Sequence, residues 1–250
     1  MISKWGTGLD SIDRDAAQRL GIQVRNTPGA FTDAVADSVM GYILTFARRL
    51  HDLDAAVKSG EWSKLAARAL NECTLGVVGV GRIGKAVLNR GKAFGCRLLG
   101  NDIIEVDRVF IETVYAQVVP LAELLAASDF VSLNCDLNPS SRHLIDARAL
   151  TLMKEGAVLI NTARGAIVDE AALIKALKSG RLGGAALDVF EEEPLPAESP
   201  LRGIDNVLLG AHNANSSPTA WDRVHRNTIR NLFLGLGLPT PESLGEYSDQ

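Results

Sequence analysis

The chain has 250 residues, of which 46% are hydrophobic and 22% charged, and its formal net charge is −4. This length allows one large hydrophobic core, or one full domain and part of another. A negatively charged chain without a block of Lys or Arg is a poor partner for nucleic acid, and no apolar run is long enough to span a bilayer. We therefore expect a cytoplasmic protein that binds neither nucleic acid nor membrane.

Short apolar runs alternate with amphipathic helical patterns along most of the chain. In chain order, a long helix is predicted over 33–50, and a last helix over 218–234 precedes an irregular C-terminal end. Between them, six strands are predicted over 75–80, 97–102, 130–134, 157–161, 184–189 and 207–209, with helices over 82–94, 121–127, 146–153 and 170–179. The alternation predicts an α/β fold in which crossover helices join buried parallel strands.

A glycine-rich turn follows the first of these strands. Gly79, Gly81 and Gly84 form a GxGxxG pattern at the start of the helix predicted over 82–94. Such glycines permit a tight turn, let the backbone approach a pyrophosphate and let the helix pack closely on the strand. Because the segment lacks the GK[ST] ending of a phosphate-cleaving P-loop, it favours dinucleotide binding in a Rossmann doubly wound parallel sheet.

An acidic residue, Asp102, ends the second strand at about the 20-residue spacing expected for the acid that binds the adenosine ribose. A carboxylate at this position repels a 2′-phosphate, so the pattern favours NAD over NADP. Arg108, beyond the following turn, keeps NADP open. Taken alone, Asp102 would be interpreted as a solvated acid at a strand end, but its position behind the glycine fingerprint favours ribose binding.

Three polar residues follow buried strands farther along the chain. Arg164 follows 157–161, Glu193 ends the acidic run after 184–189, and His212 follows 207–209. Singly, they would be a surface arginine, part of a solvated acidic run and a structural histidine. Together they supply a carboxylate anchor, a proton donor and a partner for that donor, which hydride transfer to a keto acid requires.

With these residues the sequence resembles the D-isomer-specific 2-hydroxyacid dehydrogenase family, in particular its phosphoglycerate dehydrogenase-like members. The resemblance extends through nearly the whole chain. Its motifs are GTGLDSID at 6–13, NTPG at 26–29, AVAD at 34–37, GVGRIG at 79–84, NTARG at 161–165 and LDVFEEEP at 187–194.

The resemblance implies a role for each matched position. Arg164 would bind the substrate carboxylate, His212 would be the general acid and base, and Glu193 would hydrogen-bond to His212 and favour its charged form. Trp5 and Gly6 match a loop whose backbone contacts the substrate carboxylate. No metal is expected, and Asp188 would face the nicotinamide carboxamide. The implied cofactor-binding residues are Gly79, Gly81, Arg82, Ile83, Gly84, Asp102, Thr162, Ala163 and Asp188.

The resemblance also implies a domain organisation. Residues 1–30 would be a remnant of a substrate domain, 31–217 the NAD-binding Rossmann domain, and 218–250 a C-terminal helix and tail that return towards the substrate domain. Family members carry several strands and helices before the part that resembles 2–13, so we expect either a fragment or another surface over the exposed edge. Relatives dimerise through the cofactor domain, and 33–50 with 60–62 resembles that region, which predicts a homodimer.

Three positions depart from the family pattern. Ala211 stands where the family usually has Pro before its catalytic histidine, the asparagines of 213–215 replace a glycine-rich sequence, and Asp136 stands where many relatives have Pro or His.

The leading hypothesis is reversible hydride transfer between NAD(H) and a small D-2-hydroxy acid or 2-keto acid of the phosphoglycerate, glycerate or glyoxylate type. The alternatives are a catalytically inactive NAD-binding scaffold or sensor subunit, and an inactive fragment. A Rossmann enzyme without nicotinamide, such as a methyltransferase, would leave Arg164, Glu193 and His212 unexplained.

Overall fold

A computed structural model describes residues 1–245, which divide into two compact units. The terminal unit contains Met1–Val35 and the part of the chain from Asn215 onward, and the central unit is Ala36–Ala214. The irregular end predicted from the sequence includes 246–250, which lie outside the described residues. The functional boundaries predicted at 30/31 and 217/218 remain predictions.

The strands are β1 (Ile2–Ser3), β2 (Val24–Arg25), β3 (Thr74–Val78), β4 (Arg97–Asn101), β5 (Ala116–Val118), β6 (Phe130–Leu133), β7 (Val158–Asn161), β8 (Gly184–Leu187) and β9 (Val207–Leu209). The helices are α1 (Arg14–Arg19), α2 (Thr32–Ala47), α3 (Leu50–Lys58), α4 (Arg82–Ala93), α5 (Arg108–Val114), α6 (Leu121–Ala127), α7 (Ala147–Leu152), α8 (Glu170–Lys178) and α9 (Pro218–Gly235).

The central unit contains a parallel sheet of seven strands in the order β5-β4-β3-β6-β7-β8-β9. The chain starts in β3, moves outward through β4 and β5, and then returns to place β6 on the other side of β3. The strand order therefore reverses between β3 and β6, where open α/β sheets bind ligands beyond the carboxyl ends of the strands. This arrangement confirms the predicted Rossmann doubly wound fold.

Two clusters of buried apolar side chains cover the two faces of this sheet. One joins α6, α7 and α8 to strand residues such as Leu133 and Leu159. The other joins α2 and α4 to strand residues such as Leu75 and Ile160. Every residue of β3, β6, β7 and β8 is buried, which explains their nearly continuous apolar sequences.

The prediction differs from the structure at three places in this unit. No helix was predicted where α5 lies. The helix predicted over 33–50 ends at Ala47, because Arg49 adopts a left-handed backbone (φ +52°) and a separate helix, α3, begins at Leu50. The sheet has one strand more than the six predicted. Its β5 is a three-residue edge strand, Ala-Gln-Val, without the apolar run by which the others were recognised.

The terminal unit contains a two-stranded parallel sheet in which Ile2 pairs with Val24. Helix α9 packs beside it, where Oγ of Ser3 donates to the carbonyl O of Thr228 at 2.6 Å and Nδ2 of Asn231 donates to the carbonyl O of Asn26 at 2.8 Å. Within residues 1–245, none of the helices has the length and apolar character needed to cross a bilayer.

Candidate active site

Two glycines of the fingerprint occupy positions where a side chain would collide with backbone. Gly79 has φ +88°, and a Cβ on it would lie 2.6 Å from the backbone N of Cys135. A Cβ on Gly84 would lie 2.0 Å from the carbonyl O of Gly79. Strand β3, helix α4 and the chain after β6 approach one another this closely only because both positions are glycine.

The third glycine, Gly81, faces open space. Among the described residues, no atom outside its own chain neighbours lies within 4 Å of the position that its Cβ would take. Gly81 is the N-cap of α4 and provides no side chain to the first N–H groups, while Arg82 and Ile83 form the first turn. A helix N-terminus of this kind binds phosphate groups. The turn therefore fits the pyrophosphate of a dinucleotide.

The carboxylate of Asp102, directly after β4, is bonded to the fingerprint turn. Its Oδ2 accepts a hydrogen bond from the backbone N of Val80 at 2.7 Å, and its Oδ1 accepts one from the backbone N of Ile104 at 3.2 Å. Each carboxylate oxygen has a further lone pair, so Asp102 can still accept ribose hydroxyls. Arg108 pairs with Glu112 at 2.9 Å, and its side chain is 89% exposed.

Arg164 lies in a short loop after β7 that Asn161 holds in place. Oδ1 of Asn161 accepts from the backbone N of Ala163 at 3.1 Å, and its Nδ2 donates to the carbonyl O of Arg164 at 2.9 Å. Thr162, Ala163 and Arg164 are half-buried, while Asn161 is buried. The side chain of Asn161 thus fixes the backbone from which the Arg164 guanidinium extends.

This loop packs directly on the segment that leads to Glu193. A Cβ on Gly165 would lie 1.9 Å from the carbonyl carbon of Phe190, so only glycine permits the contact. Oε1 of Glu193 accepts from the backbone N of Phe190 at 3.0 Å. The fold therefore brings the segments that contain Arg164 and Glu193 together, although they are separated in the sequence.

His212 and Glu193 form a hydrogen-bonded pair at the same edge of the sheet. Nδ1 of His212 lies 2.8 Å from Oε2 of Glu193, and both side chains are partly exposed. A carboxylate acceptor at Nδ1 keeps a proton on that nitrogen, which leaves Nε2 to exchange a proton with a substrate. This is the geometry of a general acid and base held by a carboxylate.

Asp188 is 2% exposed and lies beneath the loop that contains His212. Its Oδ1 accepts from the backbone N of Asn213 at 3.0 Å, and its Oδ2 accepts from the backbone N of Ala214 at 2.8 Å. Both of its oxygens thus bind this loop, and each keeps a further lone pair, so the nicotinamide contact that the family resemblance implied for Asp188 stays a prediction.

Trp5 and Gly6 lie in the terminal unit. Gly6 has φ +96°, and its backbone N donates to Oγ1 of the buried Thr27 at 3.1 Å. The Trp5 ring packs against Phe31 and His225, with ring centroids 5.3 Å and 5.9 Å away. The N–H of Gly6 is therefore bonded within its own unit, and the substrate contact expected of the backbone of this loop stays a prediction.

Sequence reasoning did not identify Asn161 and Gly165 as organisers of the site. Both lie inside the quoted NTARG motif, but their partners are backbone groups whose positions depend on tertiary structure. Asn161 could have been recognised because it is a polar residue at the end of a buried apolar strand, and buried polar groups need hydrogen-bond partners.

Comparison with known proteins identifies the same region of the chain. The family model described as "D-isomer specific 2-hydroxyacid dehydrogenase, NAD binding domain" matches residues 40–214. A glyoxylate reductase of Korarchaeum cryptofilum is 41% identical over 240 residues, which are 93% of this chain and 72% of that protein.

Solved structures give the same result. D-lactate dehydrogenase from Aquifex aeolicus, complexed with NAD and lactic acid, superposes with a TM-score of 0.87 at 32% identity, over 93% of this chain and 74% of that one. An acyclic imino acid reductase in complex with NADPH and D-Arg superposes with a TM-score of 0.84 at 29% identity, over the same shares of the two chains. The fold of this chain is thus similar to those of enzymes solved in complex with NAD and with NADPH.

Proposed function

The chain belongs to the D-isomer specific 2-hydroxyacid dehydrogenase family, and we propose that it catalyses reversible hydride transfer between NAD(H) and a small D-2-hydroxy acid or 2-keto acid. The family's NAD-binding domain lies within the central unit. The observation that carries the proposal is the 2.8 Å pair of His212 and Glu193, which shares its sheet edge with Arg164.

In the proposed reaction, NAD would supply the hydride acceptor for C2 of the hydroxy acid, and NADH would supply the hydride donor for the keto acid; the fingerprint turn and Asp102 would hold the cofactor. Nε2 of His212 removes the proton of the C2 hydroxyl, and in the reverse direction it supplies that proton. Glu193 orients the imidazole through Nδ1. The Arg164 guanidinium holds the substrate carboxylate by two parallel hydrogen bonds.

Among the substrates of this class, we place glyoxylate first and hydroxypyruvate and phosphohydroxypyruvate after it. The preference comes from the curated relatives, several of which are named glyoxylate reductase. NADH is the expected cofactor, because Asp102 presents a carboxylate to the adenosine side, where a 2′-phosphate would be repelled.

The test compares turnover and cofactor binding in two histidine variants. The purified chain should oxidise NADH with glyoxylate, whereas His212→Ala should lose about 10²- to 10⁴-fold in turnover, the usual contribution of a general acid or base. The NADH dissociation constant of this variant should stay within about twofold, because His212 is not assigned to the cofactor. Retained turnover in His212→Ala would contradict the role of this residue.

His143 provides a matched control. It also has a left-handed backbone (φ +50°), and its Nε2 lies 2.8 Å from Oε1 of Glu191. An exposed pair of this kind contributes at most about 1 kcal/mol to folding stability. His143 has no assigned role in catalysis, so His143→Ala should retain turnover within about threefold. NADH binding by the unmodified chain without turnover on any of the keto acids would favour the inactive NAD-binding alternative.

We also propose that the chain forms a homodimer. The family resemblance assigned the interface to 33–50 with 60–62, but α2 is packed into the core of the central unit, so we propose α3 and the segment 60–69 that follows it as the interface. Helix α3 has no buried residue among those described, and Trp62 is 91% exposed. An amphipathic helix and a tryptophan exposed to this extent are typical of a surface that another protein covers. In analytical sedimentation at equal protein concentration, Trp62→Ala should lower the average molecular mass towards that of the monomer. Trp221→Ala, the control, should leave the mass unchanged. An unchanged mass for Trp62→Ala would refute the assignment of this interface.

A further inference from the structure

Asp188 binds the backbone of three successive residues in the loop that contains His212. Its carbonyl O accepts from the backbone N of His212 at 2.7 Å. Its Oδ1 and Oδ2 accept from the backbone N of Asn213 at 3.0 Å and of Ala214 at 2.8 Å. Hydrogen bonds from N–H groups to a buried carboxylate are among the stronger ones in proteins.

The loop requires this restraint because His212 has a left-handed backbone, with φ +52°. A residue with a Cβ populates this region sparsely, and the conformation persists only where its surroundings determine it. Two further contacts confine the loop. Oγ of Ser38 donates to the carbonyl O of Ala214 at 3.0 Å, and a Cβ on Gly210 would lie 2.1 Å from Oδ1 of Asp188.

The surroundings of Asp188 also respond to its charge. The phenol of Tyr42, on α2, has its pKa raised first by burial and then by the negative charge of Asp188. A Cβ on Gly210 would contact both groups, at 2.1 Å from Oδ1 of Asp188 and 2.8 Å from the Tyr42 hydroxyl. The carboxylate is therefore in a closely packed environment, where an unmade hydrogen bond to a charged group is expensive.

We propose that Asp188 is a positioning residue for His212: it fixes the left-handed backbone from which the imidazole reaches Glu193. This role is additional to the contact with the nicotinamide carboxamide that the family resemblance implied, because each oxygen of Asp188 keeps a further lone pair. The effect on turnover rests on the proposed function, but the restraint of the loop does not.

The isosteric substitution Asp188→Asn tests the proposal. Asparagine has one oxygen and one NH₂ group, so one of the two backbone N–H groups would face a donor. We expect the amides of Asn213 and Ala214 to exchange hydrogen at least about tenfold faster. We expect kcat to fall about 10- to 100-fold, as misplacement of a catalytic group does, while the dissociation constants of NADH and ADP-ribose stay within about threefold.

Asp129→Asn is the matched control. Asp129 is a carboxylate that is 5% exposed before β6, at the opposite end of the same sheet, and it accepts from the backbone N of Thr74 at 2.8 Å. This variant should lower the stability of the whole protein, but it should not selectively accelerate amide exchange in the loop that contains His212. Equal acceleration of that loop in both variants would show a general loss of stability and overturn the proposal.

A second pattern would also overturn it. If Asp188→Asn weakened NADH binding but left ADP-ribose binding and amide exchange unchanged, the residue would act on the nicotinamide.

Gly210→Ala provides an independent variant in case Asp188→Asn does not fold, because its methyl group displaces Oδ1 of Asp188 while the carboxylate remains. It should accelerate exchange in the same loop, and unchanged exchange in a folded Gly210→Ala protein would count against the proposal. All of these exchange and binding results are obtained without turnover.

Discussion

Adding a methyl group at two glycines of the fingerprint should separate folding from cofactor binding. In Gly84→Ala, the new Cβ would lie 2.0 Å from the carbonyl O of Gly79, about 1.5 Å short of an ordinary contact distance. Overpacking of this kind costs about 1–3 kcal/mol. In a domain of this size, that corresponds to a loss of roughly 2–12 °C in Tm.

Gly81→Ala should have the opposite profile. Its Cβ would meet no atom within 4 Å and its φ is −74°, so unfolding of the free protein should change by less than about 0.5 kcal/mol. The methyl group would occupy the space through which the backbone approaches the pyrophosphate. Loss of one hydrogen bond to a charged group, about 1.5–3 kcal/mol, corresponds to roughly 10- to 150-fold weaker NADH binding.

Thermal melts and NADH fluorescence titrations measure the two effects separately. Gly203→Ala is the control, because its Cβ would also meet no atom within 4 Å and it lies in the same unit, away from the fingerprint turn. It should leave both measurements unchanged. Binding by Gly81→Ala as tight as that of the unmodified chain would refute the assignment of the pyrophosphate to this turn, and an unchanged Tm in Gly84→Ala would refute the packing argument.

Three further substitutions probe other parts of the central unit. Asp102→Asn should weaken NADH binding about tenfold and raise the affinity for NADPH relative to NADH, in parallel titrations, since it removes the charge that repels a 2′-phosphate. Asn161→Ala should raise KM for glyoxylate at least about tenfold, with NADH affinity within about twofold, because it releases the backbone of Arg164. For Asp129, burial raises the pKa, but hydrogen bonds from Arg68, from Lys154 and from a backbone N–H outweigh it and lower the pKa. Its stabilisation is present above the ordinary carboxyl pKa of about 3.9 and is lost as pH falls through the lowered value. Urea unfolding should therefore show Asp129→Asn less stable at pH 7 and less sensitive to acid below about pH 4.

The sequence was sufficient for the fold wherever a local pattern determined the structure. Strands buried on both faces are almost wholly apolar, and the strand predicted over 130–134 was found at Phe130–Leu133. The pattern was insufficient where local signals were weak. The three-residue strand Ala116–Val118 depends on pairing with its neighbour, and the break at Arg49 depends on one left-handed residue that no glycine or proline announces.

The predicted site shows the same division. His212 and Glu193 are 2.8 Å apart although 19 positions separate them, and their approach follows from the shared edge of parallel strands. The residues that hold the site in place, Asn161 and Gly165, could not be predicted from the strand pattern. The hydrogen bonds of Asn161 depend on the path of the following loop, and the contact of Gly165 is with backbone 25 positions later.

Two buried carboxylates of the central unit show why partners, rather than sequence context, assign a role. Asp129 and Asp188 each adjoin an apolar strand, and both are almost fully buried. Asp129 accepts from Arg68 at 3.0 Å and from Lys154 at 2.6 Å, so cationic side chains compensate its charge at the amino ends of the strands. The oxygens of Asp188 instead accept from successive backbone N–H groups at the carboxyl ends of the strands. Removing the charge of Asp129 should therefore lower the stability of the protein. Removing the charge of Asp188 should instead accelerate amide exchange in the loop that contains His212.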